Sequence, residues 1–127
     1  MAEATERTQS ARTRLVPRRE SVSAARAFVK TQLANFPRID TAVLLTSELV
    51  TNAILHAATD VELLVKRTDR CARVVVRDSD RRQVFTPYPS DSAGDHGRGL
   101  FLVANLATRW GQRDEGDGKS MWFELDT

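Results

Sequence analysis

Apolar residues recur at helical spacing in the first half of the chain and alternate with polar ones in its last stretch. Over residues 21–35, Val22, Ala25, Phe28, Val29 and Leu33 share one helical face, and Ser21 stands where a capping hydroxyl belongs. Pro37 then interrupts the chain. Asp40 can cap a second helix over residues 40–58, apolar on most sides through Ala42, Val43, Leu45, Leu49, Val50, Ala53 and Ile54. A helix of that kind should be nearly surrounded by protein. Two strand-like runs follow, 61–67 and 72–77, joined by the turn residues Thr68, Asp69 and Arg70. Residues 83–85 extend the strand pattern, and a third helix is expected over 98–107. Residues 108–113 and 119–126 flank a Gly-Asp-Gly turn as a hairpin, with Met121, Phe123 and Leu125 alternating against Ser120, Trp122 and Glu124. Near the start, residues 13–16 read as a short strand stopped by Pro17, and residues 1–11 as a polar, mobile tail.

Hairpin-linked strands with helices collected elsewhere predict helices packed on one face of a sheet. The expected fold is a two-layer α/β sandwich with a mixed, mostly antiparallel sheet, formed by residues 12–127 as one domain.

Composition narrows the functional classes. The chain has 127 residues, 41% of them hydrophobic, which suits one soluble domain with one core. Its net charge is only +2 and its basic residues are dispersed, so direct nucleic-acid binding is not expected. No apolar run approaches the roughly 20 residues of a membrane span, and no secretory leader begins the chain. A cytoplasmic protein without membrane contact is expected. Cys71 is the single cysteine, which rules out an intrachain disulfide, and with two histidines it completes no zinc-binding spacing.

Three features carry chemistry. Glu48, Asn52 and His56 lie four residues apart and form one polar stripe on an otherwise apolar helix. Burying a carboxylate and an amide costs several kcal/mol unless they are paired or bind something. The stripe therefore faces either a cavity or the solvent edge of the helix. Gly97-Arg98-Gly99 stands before an apolar helix, where free backbone N–H groups attract phosphate. Asp78 ends the apolar run Val74–Val76 and is either an acceptor beside a ligand or a turn-initiating residue. Residues 86–97, rich in Pro, Gly, Ser and Asp, read as a long loop of the kind that is usually functional or mobile. Two lookalikes fail. Gly118-Lys119-Ser120 has Arg113 where a P-loop needs its first glycine, and Leu102 holds the third-glycine position of a dinucleotide fingerprint.

Taken in order, these segments resemble the GHKL ATPases. Glu48-Leu-Val-Thr-Asn52-Ala-Ile-Leu-His56-Ala resembles the N-box, and Asp78 after its strand the aspartate of the G1 box. Gly97-Arg-Gly99-Leu-Phe-Leu-Val is similar to the G2 box, and Gly118-Lys-Ser120-Met-Trp-Phe to the closing G3-type segment. Within that superfamily, the short length and the Glu-Leu-Val-Thr-Asn-Ala wording look most like the anti-sigma-factor serine kinases.

The resemblance implies ATP and Mg²⁺ as ligands. Asn52 would hold Mg²⁺ and Glu48 would be the catalytic base. Asp78, helped by Ser120, would read the adenine amino group. Gly97, Arg98, Gly99 and Leu100 would line the phosphates, with residues 86–96 as a lid. It further implies a serine/threonine kinase that forms a homodimer, with a sigma factor and an anti-sigma-factor antagonist as partners. One departure stands out: the glycines that usually follow the G1 aspartate are replaced by Ser79-Asp80-Arg81-Arg82. A non-catalytic ATP-binding module and an ATP hydrolase are the alternatives.

Overall fold

A computed structural model describes residues 7–56, 59–79 and 95–127, and of His56 and residues 95–98 the backbone alone. The elements run β1 (Gln9–Leu15), α1 (Glu20–Gln32), α2 (Ile39–His56), β2 (Val61–Arg67), β3 (Cys71–Asp78), α3 (Asp95–Leu106), β4 (Arg109–Asp114) and β5 (Lys119–Asp126). The strands form one sheet in the order β1-β2-β3-β5-β4. The expected two-layer α/β sandwich is the observed fold. Its sheet is antiparallel at each described pairing rather than mixed. The reason lies in the connections. β2–β3 and β4–β5 are hairpins, and β5 enters the sheet beside β3 only after the chain has passed through α3 and edge strand β4.

Strand alternation decides which side chains meet the helices. Val61, Leu63 and Val65 of β2, Ala72, Val74 and Val76 of β3, and Met121, Phe123 and Leu125 of β5 form the inner face. Against them pack Ala25 and Val29 of α1, Ala42, Leu45, Leu49 and Val50 of α2, and Leu100 and Val103 of α3. Each buried aliphatic side chain of this size contributes roughly 1.5–3 kcal/mol. α2 touches both other helices and the sheet, which explains why it is apolar on most sides.

Several boundaries differ from the sequence expectation. β1 starts at Gln9, so residues 9–11, read as tail, pair with Val65–Arg67 of β2. Ser21 does not cap α1. Arg19 occupies the N-cap, and the Ser21 hydroxyl instead donates to the Val16 carbonyl at 2.7 Å, tying the helix start to the end of β1. α1 ends at Gln32, and Asn35 turns the chain with φ 69°, a conformation asparagine tolerates. Asp40 lies in the first turn of α2, where its charge complements the helix dipole. α3 begins at Asp95, three residues before the expected start. The strand signal at 83–85 and most of the loop at 86–97 lie outside the described residues.

Candidate functional site

The polar stripe of α2 does not face solvent at its centre. Asn52 is 3% exposed, and its Nδ2 is buried with no hydrogen-bond partner among the described residues. An amide atom left in that condition costs about 1–3 kcal/mol. A ligand that accepts from this group would recover the cost, and the burial of Asn52 favours the cavity reading of the stripe over the solvent-edge reading. The amide oxygen and nitrogen occupy similar volumes, so the same side chain can offer its oxygen to a cation. Glu48, one turn earlier, is half-buried. The side chain of His56 lies outside the described residues.

Glu48 leads directly to α3. A Cβ built on Gly99 would stand 2.7 Å from Glu48 Oε2 and 3.4 Å from Glu48 Cβ. Gly99 is thus where α3 approaches the carboxylate, and the missing side chain makes the approach possible. The glycine pair lies inside α3 rather than before it. Within the helix, the N–H groups that precede the first intrahelical bond belong to residues 95–97. Gly97 and Arg98 stand in this first turn. Leu100 is 1% exposed, and its side chain belongs to the core.

Asp78 closes β3 on the inner face and is 5% exposed. The Ser79 N–H donates to Thr59 Oγ1 at 3.2 Å, tying the end of β3 to the segment that follows α2. Gly118 brings β5 against the same point. A Cβ there would lie 2.0 Å from the Asp78 carbonyl oxygen. Asp78 pairs with Lys119 across the sheet, and the Lys119 ammonium stands 3.5 Å from the carboxylate.

Ser120 does not join Asp78. It pairs with Arg77 and faces the other side of the sheet, where its hydroxyl donates to Glu115 Oε1 at 2.8 Å. The reason is the strand period: Ser120 alternates with Met121, so only one of them can point inward. Lys119, which the sequence reading did not single out, takes the inner-face position beside Asp78, as the same alternation requires.

The C-terminal half of α2, the ends of β3 and β5, and the first turns of α3 therefore bring Glu48, Asn52, Asp78 and Gly99 to one region of the sandwich. No group of three or more His, Cys, Asp or Glu among the described residues is arranged to hold a metal. One amide oxygen suits Mg²⁺ in the form in which that ion is carried largely by phosphate oxygens. The donor set and the orphaned amide thus fit a metal–nucleotide complex.

A group of shifted titrations lies on the outer face of the sheet. Hydrogen bonds from Arg109 are the main reason that the Glu124 and Asp126 carboxyls fall below their usual range, with Arg73 also acting on Glu124. Burial, then the Glu124 charge, pushes the Cys71 thiol up, which disfavours the reactive thiolate. These groups join β3, β5 and β4 as a structural network.

Comparison with known proteins agrees with this geometry. None of the curated proteins compared matches the chain. The family model described as "Histidine kinase-like ATPase domain" matches residues 11–124, nearly the whole sandwich and all four site segments. The chain belongs to the histidine kinase-like ATPase domain family.

Proposed function

We propose that this domain binds Mg-ATP and transfers its γ-phosphoryl group to a serine or threonine hydroxyl of an anti-sigma-factor antagonist. The single observation that carries the nucleotide site is the buried Asn52 Nδ2, without a partner among the described residues, one turn from Glu48, which itself lies against Gly99. In this reading Asn52 holds the Mg²⁺ that accompanies the phosphates, and Asp78 accepts from the adenine amino group. Bound Mg²⁺ supplies charge neutralisation at the phosphates. Glu48 takes the proton of the attacking hydroxyl as its oxygen bonds to the γ-phosphorus and the bond to the ADP oxygen breaks. Phosphoryl transfer depends chiefly on positioning and electrostatics, which a small domain can provide.

The antagonist as substrate, a sigma factor as the second partner and a homodimer as the assembly rest on the N-box wording. The run Ser79-Asp80-Arg81-Arg82, without the usual glycines, supports one competing reading, a module that binds ATP and transfers nothing.

Incubation with γ-labelled ATP, Mg²⁺ and candidate antagonist proteins distinguishes the readings. The kinase reading expects label on a partner hydroxyl and, in Glu48→Gln, transfer slower by roughly 10²–10⁴-fold with ATP affinity kept. Equal rates in parent and variant remove Glu48 as the base. Binding without label on any partner favours the module, and phosphate release without a partner identifies a hydrolase.

A further inference from the structure

α1 and α2 pack against each other, and the short connection between them makes them an antiparallel pair. The sheet covers one side of this pair, and no layer covers the other among the described residues. An open groove of about 380 Å³ runs between the two helices. It is lined by Arg26 and Lys30 of α1 and by Asp40, Val43, Leu44 and Ser47 of α2. A single exposed leucine needs no explanation. This one stands among charges of both signs. Leu44 is 41% exposed, and Arg26, Lys30 and Asp40 are all exposed. Among the described residues, no hydrogen bond or ion pair engages any of the three charges.

The charges are sorted by helix, with the cations on α1 and the anion on α2. Such a groove suits a surface that carries the same features with the two helices exchanged, and a two-fold axis generates that surface. With the axis along the groove, α2 of one copy lies over α1 of the other. Asp40 then meets Lys30 of the other copy, and Ser47 meets Arg26. Leu44 covers Ala27, a small exposed residue on the outer side of α1. Each contact occurs twice. An acidic partner would use the cations but would bring its own charge against Asp40. We infer that the α1–α2 face is the surface through which two copies of this chain pair. This rests on the homodimer of the reading above and gives it a surface. The groove lies on the α1 side of α2, whereas Glu48 lies against Gly99 of α3, so the pairing leaves the approach to Glu48 open.

The test is sedimentation velocity of the full chain from about 1 to about 200 μM, the range that suits a small interface. The parent should shift from monomer to dimer across it. Leu44→Glu should raise the dimer Kd roughly tenfold or more, because two leucines lose their burial. Asp40→Lys should raise it roughly fivefold, through repulsion from Lys30 of the other copy. Adding Lys30→Asp to Asp40→Lys should restore the parent Kd, since the exchanged charges again face their opposites. Circular dichroism verifies folding, and ATP affinity should be unchanged in each variant. If Leu44→Glu does not fold, the charge exchange decides alone. A dimer that is equally tight in the parent and in the variants uses another face, which overturns the inference and keeps the homodimer. A parent that stays monomeric throughout overturns the face and the homodimer together and leaves the nucleotide site standing.

Discussion

α2 carries two buried polar atoms without partners among the described residues, Thr46 Oγ1 and Asn52 Nδ2. They lie on different sides of the helix. At 3.6 residues per turn, Thr46 is roughly 200° around the axis from Glu48 and about 240° from Asn52. Thr46 is fully buried, on the side of Ala42, Leu49, Val50 and Ala53. A hydroxyl among aliphatic groups carries an uncompensated desolvation cost, and nothing in the polar stripe recovers it. Thr46→Val keeps the shape and removes the cost. Denaturant unfolding should find the variant as stable as the parent or more stable by about 1 kcal/mol, with nucleotide affinity unchanged. Destabilisation by Thr46→Val would show that the hydroxyl is satisfied after all. The pair illustrates how far one residue can be read from sequence. Asn52 was legible because it repeats with Glu48 and His56, whereas Thr46 sits alone in an apolar helix and its burial is a tertiary fact.

Two glycines set the spacing of elements around the site, and they fail differently. At Gly118 an added Cβ would meet the backbone carbonyl of Asp78 at 2.0 Å and Ser79 Cα at 2.8 Å. Backbone cannot rotate away, so Gly118→Ala should separate β5 from the end of β3 and cost on the order of 3 kcal/mol in thermal or denaturant unfolding. At Gly99 the nearest atom is the far end of the Glu48 side chain, which can turn. Alanine is also the better helix former by about 1 kcal/mol. Gly99→Ala should therefore stay within about 1 kcal/mol of the parent in stability while displacing the carboxylate and slowing transfer. Normal transfer in a stable Gly99→Ala protein would detach Glu48 from the chemistry.

At this scale the sequence located elements better than their neighbours. The runs 61–67 and 119–126 were legible to the residue from alternation and the turns that bound them. The insertion of β5 between β3 and β4 was not, because pairing between distant strands leaves no local pattern. The start of α3 was misread for a related reason. Its first turn, Asp95–Arg98, has no apolar residue, so the periodic signal begins only at Leu100.

Across the whole molecule, the helical face of the sheet holds the core and the site, while the outer face is joined by charges. Glu124 on β5 accepts from Arg73 on β3 at 2.9 Å and also from Arg109 on β4, which binds Asp126 as well. Arg73 also lies over the Trp122 ring, 4.3 Å from its centre. The Arg109 hydrogen bond is the first cause of the lowered Glu124 carboxyl. A carboxyl that is lowered on folding stabilises the fold above its ordinary value of 4.5, and loses that contribution as the pH falls through its lower folded value. Glu124→Gln should thus cost about 1 kcal/mol at pH 7, and the difference from the parent should shrink as the pH falls below that ordinary value. A difference that is constant down to acid pH would show that packing, not charge, is what Glu124 supplies.

The proposed role of Asn52 is to hold the Mg²⁺ that accompanies the nucleotide. Its most direct test is calorimetric titration of ATP, with and without Mg²⁺, into the parent and Asn52→Ala, with far-ultraviolet circular dichroism to verify folding. The parent should bind ATP more tightly with Mg²⁺ than without it, and Asn52→Ala should remain folded and lose that Mg²⁺-dependent gain. Equal Mg-ATP affinity in the two proteins would contradict the account.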